Sequence, residues 1–242
     1  MIISPNTFEF NLFLTLTIII LIVKLFLALY LLNKVRNRKK ETGTLNFDFL
    51  VSICILMFCL FISRLLFAIF DFYLTQFDTS KAYLYPNIIV WKFAALSSSI
   101  GFTVILYTID KEILNFKLKG SLAWLMIIAT AIQFFYPVNT AEDFEMLGVI
   151  GIFGNIVAII VPLIFIYTGI KIPGLRKWSF LIAIGIIIYA IGSNLVIEPV
   201  LIPLRALYGP EIQITMYFLL FIFKIAGLVM FTYGVTKFTL KK

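Results

Sequence analysis

The apolar positions of this chain fall into seven long runs separated by short polar breaks. The runs are Leu12–Leu32, Phe49–Tyr73, Ile88–Ile109, Leu122–Tyr136, Met146–Ile170, Phe180–Ile197 and Ile212–Tyr233. A bilayer core of about 30 Å takes about 20 apolar residues wound as a helix. Backbone in lipid must satisfy its own polar groups, which a helix does within one segment. Each run therefore predicts a transmembrane helix, and the fourth reaches spanning length when its start is taken back to Leu118, as 118–136. The first run, 12–32, is longer than a signal-peptide core of about 7–15 residues and is read as a retained helix.

The breaks carry turn chemistry: Glu41–Thr44, Tyr85–Asn87, Tyr136–Asn139 and Pro173–Gly174. All are short, so successive helices run antiparallel. The expected fold is all-α, a single polytopic bundle over 1–242 with helices at about 12–32, 49–73, 88–109, 118–136, 146–170, 180–197 and 212–233. The longest connection, Pro199–Pro210, holds three prolines among apolar residues. It is expected not to form a helix, and to lie as a lid or interfacial loop.

Basic residues set the direction of threading. Lys34, Arg36, Arg38, Lys39 and Lys40 fall in the first loop, Lys111, Lys117 and Lys119 in the third, Lys171, Arg176 and Lys177 in the fifth, and Lys237, Lys241 and Lys242 in the tail. Only Lys81 and Arg205 fall on the other side. Fourteen against two is a positive-inside pattern sustained through every crossing. It predicts seven spans, the N-terminus outside, the C-terminus in the cytoplasm, and residence in the plasma membrane. Glu9, Asp78, Glu142, Asp143, Glu145 and Glu211 lean to the outer side. Trp124, Trp178, Tyr73, Tyr85 and Tyr136 lie near segment ends as an interfacial belt.

Composition agrees with that solvent. Hydrophobic residues make up 62% of the 242 and charged ones 13%, and the mean hydropathy is +1.07. The chain has no histidine, which removes haem ligation, histidine–zinc hydrolysis and imidazole acid–base catalysis; an enzyme is not expected. Cys54 and Cys59 lie inside one apolar run on different helix faces, so no disulfide is expected between them. The net charge of +8 sits where topology puts it, so anionic lipid headgroups, and not nucleic acid, are the expected partners.

Charges inside the spans carry more information, because each costs about 2.5–3.5 kcal/mol near the bilayer centre on insertion scales. The basic ones are Lys24, Arg64, Lys92 and Lys224. Lys92, Ser99, Thr103 and Asp110 recur at offsets that place them within about 20° of one line on a helix. Gln213, Tyr217 and Lys224 align likewise in the last run, Arg64 and Asp71 share a face, and Asn194 precedes Glu198. Together Arg64, Asp71, Lys92, Ser99, Asn194, Glu198, Tyr217 and Lys224 are the candidate lining of a polar cavity in the outer half, its surplus positive charge suited to an anionic ligand. The competing account is internal ion pairing, with Arg64–Asp71 or Arg64–Glu198 as the pairs. Lys24 is expected to snorkel toward the inner headgroups. Pro162 is expected to kink the fifth helix, with Asn155 on the same face and Gly154 and Ala158 as a small-residue packing patch.

Lys224 is similar in place to the retinal lysine of rhodopsins. Ser97, Ser98 and Ser99 stand where a counter-ion carboxylate is needed, however, and the sixth helix has no tryptophan, so no cofactor is expected. Ser63–Arg64 with Asp71, Trp91–Lys92, Tyr107–Glu112, Pro162 and Gly174–Lys177 resemble uncharacterised seven-helix proteins of archaea, themselves similar to the sensor regions that precede histidine kinases. The resemblance implies a receptor-like or sensory protein, and the surplus charge of the candidate cavity a small or lipidic anionic ligand for it. With no kinase domain after the last helix, it implies signalling through a separate cytoplasmic or membrane partner, met by the basic loops around Asp110 and Arg176. The other readings of the same charges are a small transporter or channel, or a structural membrane subunit.

Overall fold

A computed structural model describes residues 7–44, 47–196, 198–209 and 211–239, without the side chains of 79, 152–158, 198 and 199. The chain is helical, with no strand among the described residues. The helices are α1 (Phe8–Thr42), α2 (Phe49–Ala68), α3 (Asn87–Glu112), α4 (Ser121–Phe135), α5 (Ala141–Lys171), α6 (Arg176–Asn194), α7 (Glu198–Tyr208) and α8 (Ile212–Thr239). Five stretches are long and apolar enough to cross a bilayer: α1, α2 with its continuation to Leu74, α3, Pro173–Asn194 and α8. That is the make-up of a multi-pass membrane protein. Two shorter apolar stretches are α4 and Ile159–Lys171.

The chain divides into two compact units, Lys24–Val161 and Asn6–Val23 with Pro162–Lys242. The second boundary falls at Pro162, inside α5. Gly154, Asn155 and Ala158, expected to pack near it, have side chains outside the described residues.

In the first unit α2 and α3 pack closely and antiparallel, and α3 also packs on α4. Gly101 permits the approach of α3 to α2, since a Cβ there would lie 2.9 Å from Cys59 Cβ and 3.2 Å from Leu56 Cα. Hydroxyls tie the two helices across the seam. Ser52 Oγ and Thr108 Oγ1 are 2.6 Å apart, and Ser97 Oγ donates to the Cys59 carbonyl at 3.1 Å; in lipid, small residues and hydroxyls take over the work that hydrophobic burial does in water. Cys54 is buried with its thiol toward the Ala28 carbonyl, and both cysteines are free.

In the second unit α6 and α8 pack antiparallel. Their glycines, Gly185 with Gly192 and Gly227 with Gly234, stand seven apart on each helix, two turns along one face. Tyr217 of α8 stacks on Phe13 of α1 with ring centroids 3.6 Å apart. Trp178 meets Tyr233, and Phe165 meets Phe238, edge to face.

Several boundaries differ from expectation for local reasons. The fourth helix does not begin at Leu118. Lys119 and Gly120 have positive φ, +49° and +74°, and α4 starts after Gly120. The second helix passes at Ile69 into a π-helical stretch, Ile69–Leu74, that contains Asp71. The segment expected not to be helical forms α7: Pro199 falls in its first turn, where N–H groups have no intrahelical partner anyway. Pro203 then forfeits one helical hydrogen bond, while Leu201 is buried.

The fifth helix begins at Ala141, before the apolar run, because Thr140 and Asp143 form a capping box. Asp143 Oδ2 accepts from the N–H of Asn139 and of Thr140, both at 2.9 Å, and the Asp143 N–H donates to Thr140 Oγ1 at 3.2 Å. The Asn139 N–H above all, with the side chain and N–H of Thr140, holds the Asp143 carboxyl below its usual range. A pKa lowered by folding stabilises the fold fully above the unfolded value of about 3.9, and that contribution goes as pH falls through the lower folded value. Hydrogen-exchange protection of the Asn139 and Thr140 amides is expected to hold steady from neutral pH to about 4 and to fall below it. In Asp143→Asn it should be low across the whole range, and equal protection in the two proteins at neutral pH would refute the cap.

Candidate functional site

The first unit places Lys24, Arg64, Asp71, Lys92 and Ser99. Arg64 Nη1 lies 3.8 Å from Asp71 Oδ2, with the two side chains 20% and 28% exposed. This is the ion-pair account of those residues, in a loose geometry. Lys24 does not snorkel. It is 3% exposed, and its Nζ donates to the Leu60 carbonyl at 3.1 Å, one turn from Arg64 on α2. The reason is position: about four turns of α1 separate Lys24 from the exposed basic stretch at 36–40, too far for its stem to reach.

Lys92 donates from Nζ to the Tyr136 carbonyl at 2.6 Å. Tyr136 is the C-cap of α4, so the ammonium closes the negative end of that helix, where a cation is favoured by the unsatisfied carbonyls. Asp110, at the far end of the same stripe, is 1% exposed. Its carboxylate accepts from the Leu118 N–H at 2.9 Å and the Gly120 N–H at 2.6 Å. It holds the α3–α4 turn from inside.

Ser99 is buried and lines a cavity of about 260 Å³ within the first unit. Phe67 of α2 and Trp91, Ala95, Ser98, Ser99 and Phe102 of α3 form one side. Met126, Ala129, Thr130 and Gln133 of α4 form another, and Gly148, Ile150 and Gly151 of α5 complete it. Phe144 positions α5 here, meeting Trp91 at 5.5 Å and Phe70 at 6.3 Å between ring centroids. Gly151 brings the α5 backbone against Gln133, whose Nε2 would be 2.6 Å from a Cβ at that position. Gln133 Nε2 reaches the Leu147 carbonyl at 3.4 Å. Hydroxyls, one amide and three aromatic rings thus face a space the size of a small molecule, and none of the walls is charged.

Of the residues expected to line a common cavity, only Ser99 lies on this one. Asn194, Tyr217 and Lys224 belong to the second unit. There Asn194 is exposed and donates to the Ala190 carbonyl of its own helix at 2.8 Å. Tyr217 is the partner of Phe13, and Lys224 Nζ lies 5.9 Å from the Tyr189 ring centroid in a cation–π arrangement. Gln213 is buried, and its Oε1 meets no donor among the described residues. The side chain of Glu198 lies outside the described residues.

Sequence reasoning missed most of the walls because it followed charge. Thr130 and Gln133 are nearly one helical turn apart in α4, and Gly148 and Gly151 repeat that spacing in α5. Those faces could have been paired with Ser98–Ser99, but nothing local marks them as opposite one another. No known protein family matches this chain, and neither curated proteins nor solved structures yield a match.

Proposed function

We propose that this chain is a receptor-like membrane protein that binds a small or lipidic ligand in the cavity of its first unit and passes the change to a separate partner. The observation that carries this reading is the cavity itself, uncharged but rich in hydrogen-bonding groups and lined by Phe67, Trp91 and Phe102. The distribution of Lys and Arg supports seven spans in the plasma membrane, with the N-terminus outside and α4 and α5, as the fourth and fifth crossings, completing the set with the five long stretches. In that orientation the cavity, near the start of α3 and the end of α4, opens in the outer half. Lys92 and Arg64 are not among its walls, so the ligand that fits is an uncharged amphiphile: a hydroxyl or carbonyl head for Ser98, Ser99, Thr130 and Gln133, and an apolar body for the rings. An anionic ligand would need a cation that the walls lack.

The test pairs ligand retention with transport. Mass spectrometry of the purified protein is expected to find a co-purifying small amphiphile. Gly151→Leu, which adds bulk to a wall of the cavity and whose Cβ would meet only the flexible end of Gln133, should lower its occupancy at least about tenfold, equivalent to about 1.4 kcal/mol. In liposomes neither protein should pass ions. Equal retention by both proteins would remove the cavity as the site, and an ion or solute flux lost in Arg64→Leu or Lys224→Met would replace the receptor by a transporter, for which intramembrane charge is the usual path.

A further inference from the structure

The helix α7 has no place in the ligand reading, yet its surface is unusual. It has 11 residues, about 16 Å of helix, and so cannot cross a core of about 30 Å. It joins α6 to α8, which pack antiparallel and are each part of a stretch long enough to span. The end of α6 and the start of α8 therefore lie at one boundary of the membrane, and α7 stays there.

We propose that α7 is an interfacial helix whose outward face is seated in the lipid at that boundary. Ile202 and Leu207 are 60% and 76% exposed, and Pro203 and Ala206 are exposed beside them. On a helix these four positions fill an arc of about 140°, and every side chain in the arc is apolar. A helix facing water carries its polar residues on the exposed side; here the exposed side has none, and the one charged side chain described in α7, Arg205, falls outside the arc. The opposite side is held by Leu201, which is 2% exposed. Tyr208, exposed at the C-terminal end, has the amphipathic ring that settles at headgroup depth. An outward apolar face on a helix too short to span, fixed at both ends to spanning segments, matches the lipid side of the headgroup–acyl boundary. The inference depends on α6 and α8 crossing the bilayer and is independent of any ligand in the first unit.

Nitroxide labels attached to Ile202→Cys and Leu207→Cys, in protein reconstituted into phosphatidylcholine–phosphatidylglycerol liposomes, test it. The unsubstituted protein, with Cys54 and Cys59, treated alike, supplies the background. Collisions with oxygen, which concentrates in lipid, are expected to exceed those with a water-soluble nickel chelate several times over at both positions. Dominant nickel collisions would mean that the face lies in water. Labels reached by neither reagent would mean that protein, a second copy or another chain, covers it, and either result overturns the proposal.

Discussion

Gly227→Leu is expected to part α6 from α8 and to leave little folded protein. A Cβ at Gly227 would stand 2.6 Å from the Gly185 carbonyl oxygen and 2.7 Å from the Tyr189 nitrogen. Both are backbone atoms, so no side chain can swing aside and the helices themselves must move. The contact is reciprocal: a Cβ at Gly185 would lie 2.7 Å from the Phe231 nitrogen, and one at Gly192 would lie 2.8 Å from Phe223 Cβ. In lipid the pair is held by dispersion over this close seam, because expulsion of water contributes nothing between helices that are already in hydrocarbon. Forcing it open removes contacts along the whole face. Overpacking a tight site costs about 1–3 kcal/mol and at times more, and with two clashes against main chain the upper end applies. Gly227→Ala, which already adds the offending atom, should be destabilised as well, though less. Gly174→Ala, with nothing within 4 Å, should match the unsubstituted protein. The measurements are the denaturation midpoint in detergent and the yield of monodisperse protein. A Gly227→Leu protein as stable as the parent would mean that α6 and α8 do not pack along this face.

Removing the carboxylate of Asp110 is expected to release the α3–α4 turn. Two N–H groups, of Leu118 and Gly120, end on it, and it is buried beneath the turn. Asn115, Phe116 and Lys119 hold positive φ in the same stretch, at 54°, 58° and 49°, a region that costs ordinary residues about 1 kcal/mol or more each unless the surroundings enforce it. The Asp110 carboxylate is an enforcing group, beside backbone bonds such as the Phe116 N–H to the Asp110 carbonyl at 2.8 Å. In Asp110→Ala both N–H groups lose a charged acceptor, worth about 1.5–3 kcal/mol apiece, and the strained backbone relaxes toward an open loop. Trypsin reads this directly, because Lys117 and Lys119 are exposed within the turn. Cleavage after them should be much faster in Asp110→Ala and intermediate in Asp110→Asn, which keeps one oxygen. Unchanged cleavage in Asp110→Ala would show that the turn is held by something else.

Asp110 also shows where reading the chain by periodicity stops. Its spacing from Lys92, Ser99 and Thr103 puts it on one helical line, and the line is real in the sense that all four lie on α3. What each member does was decided by what the fold sets beside it: a helix end for Lys92, a cavity for Ser99, a turn for Asp110. Lys24 went the same way, since a neighbouring carbonyl on α2 cannot be seen from α1. The glycines at 185, 192, 227 and 234 are the opposite case, a seven-residue spacing plainly present in the chain.

The all-helical, multi-pass character of the chain and the uneven placement of Lys and Arg were determined by the sequence alone. In a bilayer every backbone group must be satisfied within its own segment, so a long apolar run is sufficient to predict a helix, whereas the proline-containing α7 was not legible in this way. Which polar groups meet could be decided only by the tertiary structure, because a hydrogen bond such as Lys92 to Tyr136 or Asp110 to Gly120 depends on a partner whose approach is set by glycine-sized contacts elsewhere. So does a cavity, which is the space left where three helices carry small side chains at the same height.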